Sequence, residues 1–350
     1  MRHRKNLRVT SAHYHAGHLV HFMAANEKGF FAEEGLSAQD WDLVYPGGII
    51  PSVVEPVALN LAMKERGIDI VVDAKPESAL AQNAQGAELY IIGGWRNASF
   101  VHGLFGGPHV RKLEDIRGKR VGTRDLGGLS YVFTKFMLNQ AGIDPYKEVE
   151  WVRGIHSATE SYQALKDGRV DAVLARSQGR RRLEDEGYPL LLDAANFSPQ
   201  GFPVRLIAAT GRVLREHPDL VKGFLRGAIR GYWFYRNRAN FEFIRDVETR
   251  MRQIHWDEEE ADLERHNSES VTVPAQLEMD AAPIDGGVPV GSLEVYLDHM
   301  KALGEMPQDY ELKQVLRLEL VGEAFRELES RPELRTELDR AKAVAAQFGH

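Results

Sequence analysis

The chain has 350 residues, of which 43% are hydrophobic and 27% are charged, so it is long enough for two domains of ordinary size. Its net charge of -7 argues against a nucleic-acid-binding surface, because such surfaces are strongly basic. The absence of cysteine excludes disulfides, cysteine nucleophiles and thiolate metal ligands. No apolar run approaches about eighteen residues, so we predict no membrane span.

The amino-terminal part of the chain predicts alternating strands and helices. Strands are predicted over residues 7–10, 37–44, 67–75 and 88–95, and helices over residues 17–28, 51–66 and 76–86. Pro51 suits the first turn of its helix, because proline lacks an N–H that the first turn would leave unpaired. Gly93-Gly94 indicates a bend within the last of these strands.

The stretch from residue 113 to residue 174 has the most informative pattern. A strand is predicted over residues 119–123, a glycine turn at Gly127-Gly128 and a helix over about 129–141. A strand, a capped helix and another strand are then predicted for the segments EVEWVRG, SATESYQALKDG and RVDAVLA. This order predicts a parallel sheet with crossover helices. A helix that begins at a glycine turn directs unpaired backbone N–H groups outward, which favours a bound anion.

The chain after Thr210 is predicted to be mainly helical. A long amphipathic helix begins at Pro218, and its aromatic residues Phe224, Trp233 and Phe234 are predicted to pack in the core. Residues 271–290 contain three prolines and predict a loop, which would return over the cleft that the family resemblance given below implies. We expect the chain to end in charged helices, the last of which projects as an arm. Contacts between these helices could form an oligomer.

Several of these segments resemble a known family. The second lobe of type 2 periplasmic-binding-like proteins is similar to the segments LEDIRGKRVG and ALKDGRVDAVLA with the Gly-Gly turn between them. The family's opening helix resembles HFMAANEKGFFAEEGLSAQ. The similarity is to the aliphatic-sulfonate, taurine and thiamine-pyrimidine-precursor binders in particular, which are substrate-binding proteins of ABC transporters. It extends from about residue 7 to residue 225 and implies an α/β fold with two lobes, a ligand cleft between them and a helical carboxyl-terminal region.

The resemblance also implies where the lobes begin and end. Residues 99–105 and 202–209 match segments that cross between lobes in the family and would act as hinges. Lobe one is therefore expected to comprise residues 1–105 and 202–350, and lobe two residues 106–201. Transport members of the family carry an export signal, whereas no apolar segment follows the basic start MRHRKN. We expect a cytoplasmic location if the chain is complete as given, and a periplasmic one if a signal peptide was removed.

Histidines are concentrated where the family has a ligand-facing loop. His13, His15, His18 and His21 fall within nine residues. Imidazole groups suit a proton shuttle, a metal or an anionic ligand. We predict that His13, His15 and His18 bind the ligand, and that His21 is packed or solvated on a helix face. No metal site is predicted, because histidine pairs without a nearby carboxylate are not a zinc signature.

Arginines and the glycine turn form the second group of candidate ligand-binding residues. A guanidinium can bind a carboxylate or sulfonate through two hydrogen bonds at once. A surface salt bridge for Arg96 and a structural pair between Arg124 and Asp125 are the alternatives. The complete predicted group is Arg96, Asn97, Arg124, Gly127, Gly128, Leu129, Ser130, Arg176, Ser177 and Arg205.

Two enzymes of similar architecture bear on the choice between binding and catalysis. The fungal thiamine-pyrimidine synthase, which the chain resembles broadly, has a lysine for pyridoxal phosphate where a rough alignment places Asp73, and a cysteine cluster that this chain lacks. The similar aromatic-sulfinate desulfinase requires a cysteine near Ala16. Neither mechanism is expected here, and no cofactor is predicted.

The sequence therefore predicts a binding protein for a small organic anion, which is a sulfonate, an aromatic carboxylate or a heterocycle, with hinge closure as its mechanism. The alternative is a cytoplasmic decarboxylase, lyase or hydrolase on the same fold, which would act on an aromatic acid with His13 or His15 as general acid or base. The expected partners are the anionic ligand and, if the chain is exported, an ABC permease, with no nucleic acid.

Overall fold

A computed structural model describes residues 7–11, 16–36, 67–98, 102–124, 126, 129–155, 158–196, 202–256 and 283–347. Their contacts divide the chain into two compact units. The first unit consists of Met1–Asn97, Pro203–Pro289 and Asp309–His350, and the second of Ala98–Phe202 and Val290–Gln308. The chain therefore passes four times from one unit to the other.

The described elements are a mixture of strands and helices up to residue 216, and the elements after it are helices. The strands in chain order are β1 (Val9–Ser11), β2 (Ile70–Ala74), β3 (Leu89–Ala98), β4 (His102–Gly106), β5 (Lys119–Gly122), β6 (Val149–Val152), β7 (Ala172–Arg176), β8 (Leu190–Asp193) and β9 (Phe202–Thr210). The α-helices in chain order are α1 (Ala16–Glu27), α2 (Phe30–Glu33), α3 (Pro76–Ala84), α4 (Leu129–Gln140), α5 (Ala158–Lys166), α6 (Ser177–Asp185), α7 (Gly211–Glu216), α8 (Pro218–Arg236), α9 (Phe241–Trp256), α10 (Val290–Ala302), α11 (Glu319–Glu329) and α12 (Arg335–Gln347). The elements predicted over 37–44 and 51–66 lie outside the described residues.

The sheet of the first unit has the strand order β1-β2-β9-β3. Strands β1 and β2 are parallel, with Ser11 opposite Val72, and β9 runs antiparallel to β2. All five residues of β2 are buried, and four of them are apolar, as is typical of a strand that is covered on both faces. The pairing of β2 with β9 shifts register between Val71 and Ala74, so β2 is irregular at its carboxyl end.

Strand β3 continues without interruption through Gly93 and Gly94, where the sequence indicated a bend. The two glycines instead allow the segment before α10 to approach closely. The N–H of Gly94 donates to the carbonyl oxygen of Gly286 over 2.9 Å, and a Cβ on Gly93 would lie 3.0 Å from that same oxygen. The pair therefore reflects close packing against β3, and not a turn.

Helix α8 is the central helix of the first unit, and glycines on one of its faces admit α1 and α2. A Cβ at Gly227 would lie 2.5 Å from Cδ1 of Phe31, and one at Gly231 would lie 2.6 Å from Cβ of Ala25. Such distances exclude any larger residue without a shift of the neighbouring helices. The helix begins at Pro218, as predicted, and Phe224 and Trp233 are buried in the core.

Helices α11 and α12 pack into the same core, so the expectation of a projecting carboxyl-terminal arm is wrong. Val321, Ala324 and Leu328 of α11 belong to the core cluster of the first unit, as do Leu338 and Ala341 of α12. Charged residues occupy the remaining helix surface, as amphipathic helices require.

A buried carboxylate ties these helices to the amino-terminal part of the unit. Glu34, whose side chain is 3% exposed, lies 2.6 Å from Nε of Arg226 and 2.6 Å from Nη1 of Arg331. Burial alone would raise the pKa of Glu34, but hydrogen bonds and charge from Arg331 and Arg226 lower it below its usual value.

The second unit contains a sheet with the order β6-β5-β7-β4-β8. Strand β5 is parallel to both β6 and β7, which confirms the parallel sheet predicted for residues 119–174. Strands β4 and β8 add antiparallel partners at the other side of β7. Phe105, Val173 and Leu183 are among the fully buried residues that form the core beneath helices α5 and α6.

Helix α10 packs on α4 and belongs to the second unit, although the sequence-based boundaries assigned it to lobe one. The ring of His299 stacks on Phe136 at 5.2 Å, and burial lowers the pKa of this imidazole. Beyond α10, Glu305 accepts hydrogen bonds from Tyr146 Oη and, at 2.6 Å, from Nζ of the buried Lys135. A buried cation needs such a counter-charge, so this cluster fastens residues 290–308 to the unit.

The glycine face of α8 generates a paired prediction. We expect Gly231→Ala to lower the free energy of unfolding by about 1–3 kcal/mol, because the new methyl group would overlap Ala25 and the His21 carbonyl oxygen. Gly223→Ala on the same face meets its nearest atom only at 3.5 Å and should stabilise the helix by up to about 1 kcal/mol. Urea unfolding of both variants measures these effects, and equal losses of stability would contradict the packing argument.

The Glu34 network generates a prediction about acid stability. Since the folded-state pKa of Glu34 is lowered, its contribution is present above about pH 4.5 and is lost as the pH falls through the lowered value. We expect Glu34→Gln to cost about 1.5–3 kcal/mol at neutral pH, because charge-assisted hydrogen bonds are lost while Arg226 keeps Glu327 as a partner. The variant should lose less stability than the wild type upon acidification. Glu329→Gln, in a half-exposed pair with Lys342, is the control and should stay within about 0.5 kcal/mol. Parallel pH–stability curves for the wild type and Glu34→Gln would contradict the assignment.

Candidate functional site

The carboxyl ends of β5, β6 and β7 lie at one edge of the second unit's sheet. Gly122 at the end of β5 pairs with Val152 of β6 and with Val173 of β7. Helix α6 begins directly after β7, whereas α4 begins seven residues after β5 and α5 begins six residues after β6. Ligands of α/β sheets bind at such an edge, where helix amino termini present N–H groups.

A hydroxyl pair anchors the first turn of α4 to the end of β5. Oγ1 of Thr123, which is 1% exposed, lies 3.0 Å from Oγ of Ser130. The N–H of Thr123 donates to the carbonyl oxygen of Val152 over 2.8 Å, so the residue is held on both sides. The hydroxyl of the predicted ligand residue Ser130 is therefore hydrogen-bonded to this edge.

Arg124 follows directly and is exposed. Its backbone is held at both ends, because its N–H donates to Ser130 Oγ over 3.5 Å and its carbonyl accepts from the N–H of Gly154 over 3.1 Å. Arg176 and Ser177, at the junction of β7 and α6, belong to the same edge by their position in the chain, although their side chains lie outside the described residues. The structure thus brings four predicted residues to one edge: Arg124, Ser130, Arg176 and Ser177.

Apart from Arg205, the remaining predicted residues fall partly or wholly outside the described residues. His13, His15, Gly127 and Gly128 are not described at all. His18 is in the first turn of α1, Leu129 begins α4, and Arg96 and Asn97 are near the end of β3, but nothing is described of their side chains. All of these residues stay predictions.

In the first unit, Arg205 of β9 is paired with an acid that the predicted group did not contain. Its Nε lies 2.8 Å from Oδ1 of Asp73, and the two side chains are 11% and 0% exposed. Asp73 has φ = +58°, in the left-handed region. The sequence signal for this pair is a single charged residue within the otherwise apolar strand β2.

His21 is also buried in the first unit, in agreement with the packed alternative. Its ring lies 4.4 Å from that of Trp95, and the two residues line a small cavity of about 10 Å³ together with Tyr232. Such a cavity has room for about one water molecule. It is too small for an organic ligand.

A comparison with known protein families shows to which family the chain belongs. The family described as "NMT1/THI5 like" matches residues 14–239, which is more than half of the chain. The chain belongs to the NMT1/THI5-like family. The matched range contains elements of both units, including β2 with Asp73 and the edge around Thr123.

Solved structures confirm the fold. A putative periplasmic sulfonate-binding protein, SsuA from Methylobacillus flagellatus, is 14% identical with a TM-score of 0.61, covering 94% of this chain and 96% of its own. A Candida albicans protein with the generic periplasmic binding protein fold is 13% identical with a TM-score of 0.54, covering 89% and 96%. The desulfurization enzyme DSZB is 14% identical with a TM-score of 0.55, covering 93% and 99%. This NMT1/THI5-like chain therefore has the periplasmic-binding-protein fold.

No curated protein sequence matches the chain significantly. Among the described helices, none is long and apolar enough to cross a membrane.

The hydroxyl pair at the end of β5 generates a prediction for this NMT1/THI5-like chain. We expect Thr123→Val, which keeps the side-chain shape, to lower the free energy of unfolding by about 1 kcal/mol because the hydrogen bond between the Thr123 and Ser130 hydroxyl groups is lost. Thr134→Val in α4 is the matched control. Oγ1 of Thr134 is buried and has no hydrogen-bond partner within the described residues, so this variant should be neutral or stabilising. Urea unfolding compares the two, and equal effects would show that the pair does not anchor α4.

Proposed function

We propose that this chain binds a small organic anion in the manner of a substrate-binding protein, the ligand being a sulfonate, an aromatic carboxylate or a heterocycle. The observation that carries the proposal is the edge of the second sheet, where the exposed Arg124 adjoins a helix amino terminus that hydrogen bonds tie to the end of β5. A guanidinium and backbone N–H groups bind oxyanions in a complementary way. The chain shares its fold with a putative sulfonate-binding protein, which supports an organic anion as the ligand class.

The arginines at this edge of the sheet favour an anion over a neutral sugar as the ligand. Arg124 and Arg176 both belong to this edge, and Arg153 follows β6 directly. A neutral ligand gains little from several guanidinium groups, whereas a carboxylate or sulfonate gains a charge-assisted hydrogen bond from each. Hinge closure upon binding and, for an exported form, delivery to an ABC permease complete the proposal.

Calorimetric titration with a panel of alkane and aromatic sulfonates, aromatic carboxylates and pyrimidines tests this function. We expect Arg124→Ala to weaken the binding of the tightest anion by about 1.5–3 kcal/mol, as for loss of a charge-assisted hydrogen bond. Arg169→Ala is the control, because Arg169 is also exposed but precedes β7 at the opposite edge of the sheet. The Arg169→Ala variant should bind the tightest anion with the same affinity as the wild type.

Two outcomes would contradict the proposal. One is that no anion of the panel binds, and the other is that Arg124→Ala and Arg169→Ala bind equally well. Chromatography of the bound compound after long incubation tests the alternative of catalysis. A compound that is consumed by the wild type, but not by His13→Ala or His15→Ala, would make the protein an enzyme.

A further inference from the structure

Asp73 combines two unfavourable features. It is the non-glycine residue with positive φ among the described residues, and such a backbone conformation is strained for a residue with a Cβ. Its carboxylate is also fully buried. Residues held in this way are concentrated at functional sites, because the surrounding structure must impose the strain.

The ion pair between Asp73 and Arg205 does not explain the strain and burial of Asp73 as features that stabilise the fold. Removing a carboxylate and a guanidinium from water costs about as much as their attraction returns, so a buried ion pair is weak evidence for a stabilising role. The pair between Asp73 and Arg205 is enclosed almost completely, with only Arg205 keeping 11% of its side chain exposed. Strain and burial at the same residue therefore point to a role in the orientation of Arg205.

The pair lies near the edge of the sheet at which α/β proteins bind ligands. Asp73 lies one residue beyond Val72, which pairs with Ser11 at the carboxyl end of the parallel strand β1. The register shift between β2 and β9 also falls here, and such irregularities re-aim side chains next to binding sites. Both observations place Asp73 at the carboxyl edge of the first unit's parallel strands, where α/β sheets bind ligands.

We propose that Asp73 is a positioning residue that holds the guanidinium of Arg205 in an anion subsite of the first unit. This inference rests on the proposed function and names the charge that the subsite accepts. The carboxylate of Asp73, which lies 2.8 Å from Nε of Arg205, offsets the positive charge of that guanidinium. The subsite therefore accepts a monoanionic sulfonate or carboxylate and disfavours a dianion, whose second charge would face Asp73.

Calorimetric titration with benzenesulfonate and phenylphosphonate tests this charge selection, at a pH where the phosphonate carries two negative charges. The two probes share ring and shape, so the ratio of their dissociation constants reports charge. The wild type should prefer the sulfonate by at least about tenfold, which corresponds to about 1.4 kcal/mol. Asp73→Asn should reduce that preference by about tenfold or more, and Arg205→Gln should weaken the binding of both probes.

Three variants separate positioning from folding. Asp73→Asn keeps the side-chain size and tolerates positive φ, and Asp73→Gly removes the strain as well as the charge, so both should change the ratio. Asp69→Asn is the matched control, because Asp69 is a buried acid of the same unit, 2.6 Å from Nη2 of Arg212, but it precedes β2 at the opposite edge. It should lower the melting temperature and leave the ratio unchanged.

The outcomes also separate this inference from the proposed function. If other anions of the panel bind and depend on Arg124, the proposed function stands. In that case an unchanged ratio in both Asp73 variants, or failure of the wild type to bind benzenesulfonate, would overturn the subsite alone. If no anion of either kind binds the wild type, both proposals fall.

Discussion

Parallel pairing of neighbouring strands is the constraint on which both candidate sites depend. Parallel strands end at the same edge of a sheet, so the residues that follow them are brought together although they are far apart in the chain. In the second unit this pairing joins the ends of β5, β6 and β7. In the first unit it joins the end of β1 to the end of β2, where Asp73 lies. A slip of one residue in either sheet would turn the polar side chains to the opposite face.

Buried charges hold this framework together at three places, with different consequences. Glu34 joins the chain after α2 to α8 and to the residues between α11 and α12. Lys135 and Glu305 attach the segment of α10 to the second unit. The pair of Asp73 and Arg205 connects two adjacent strands that hydrogen bonds already join, so it contributes least to the connection of the elements. That contrast is why a role in binding is assigned to the last pair and not to the other two.

Fold and function are separate conclusions for this chain. Its fold is shared with a sulfonate-binding protein and with a desulfurization enzyme at the same 14% identity, so the fold alone does not distinguish binding from catalysis. The distinction depends on side chains. The described part of the chain offers arginines and anchored hydroxyl groups, which suit recognition of an anion.

The sequence by itself determined the local elements and the parallel order of the central stretch. Glycine turns, Pro218 and the apolar periodicity act over a few residues, so β5, α4, β6, α5 and β7 were predictable. It also identified Arg124, Ser130, Arg176 and Ser177 as one edge, because strand ends of a parallel sheet meet. Only the tertiary structure decided which unit α10 joins and which acid faces Arg205. Lys135 and Glu305 are 170 residues apart, and no periodicity or turn signal encodes a contact over that separation. Such pairs are selected by packing and by the need of a buried charge for a counter-charge, and both arise only in the folded chain.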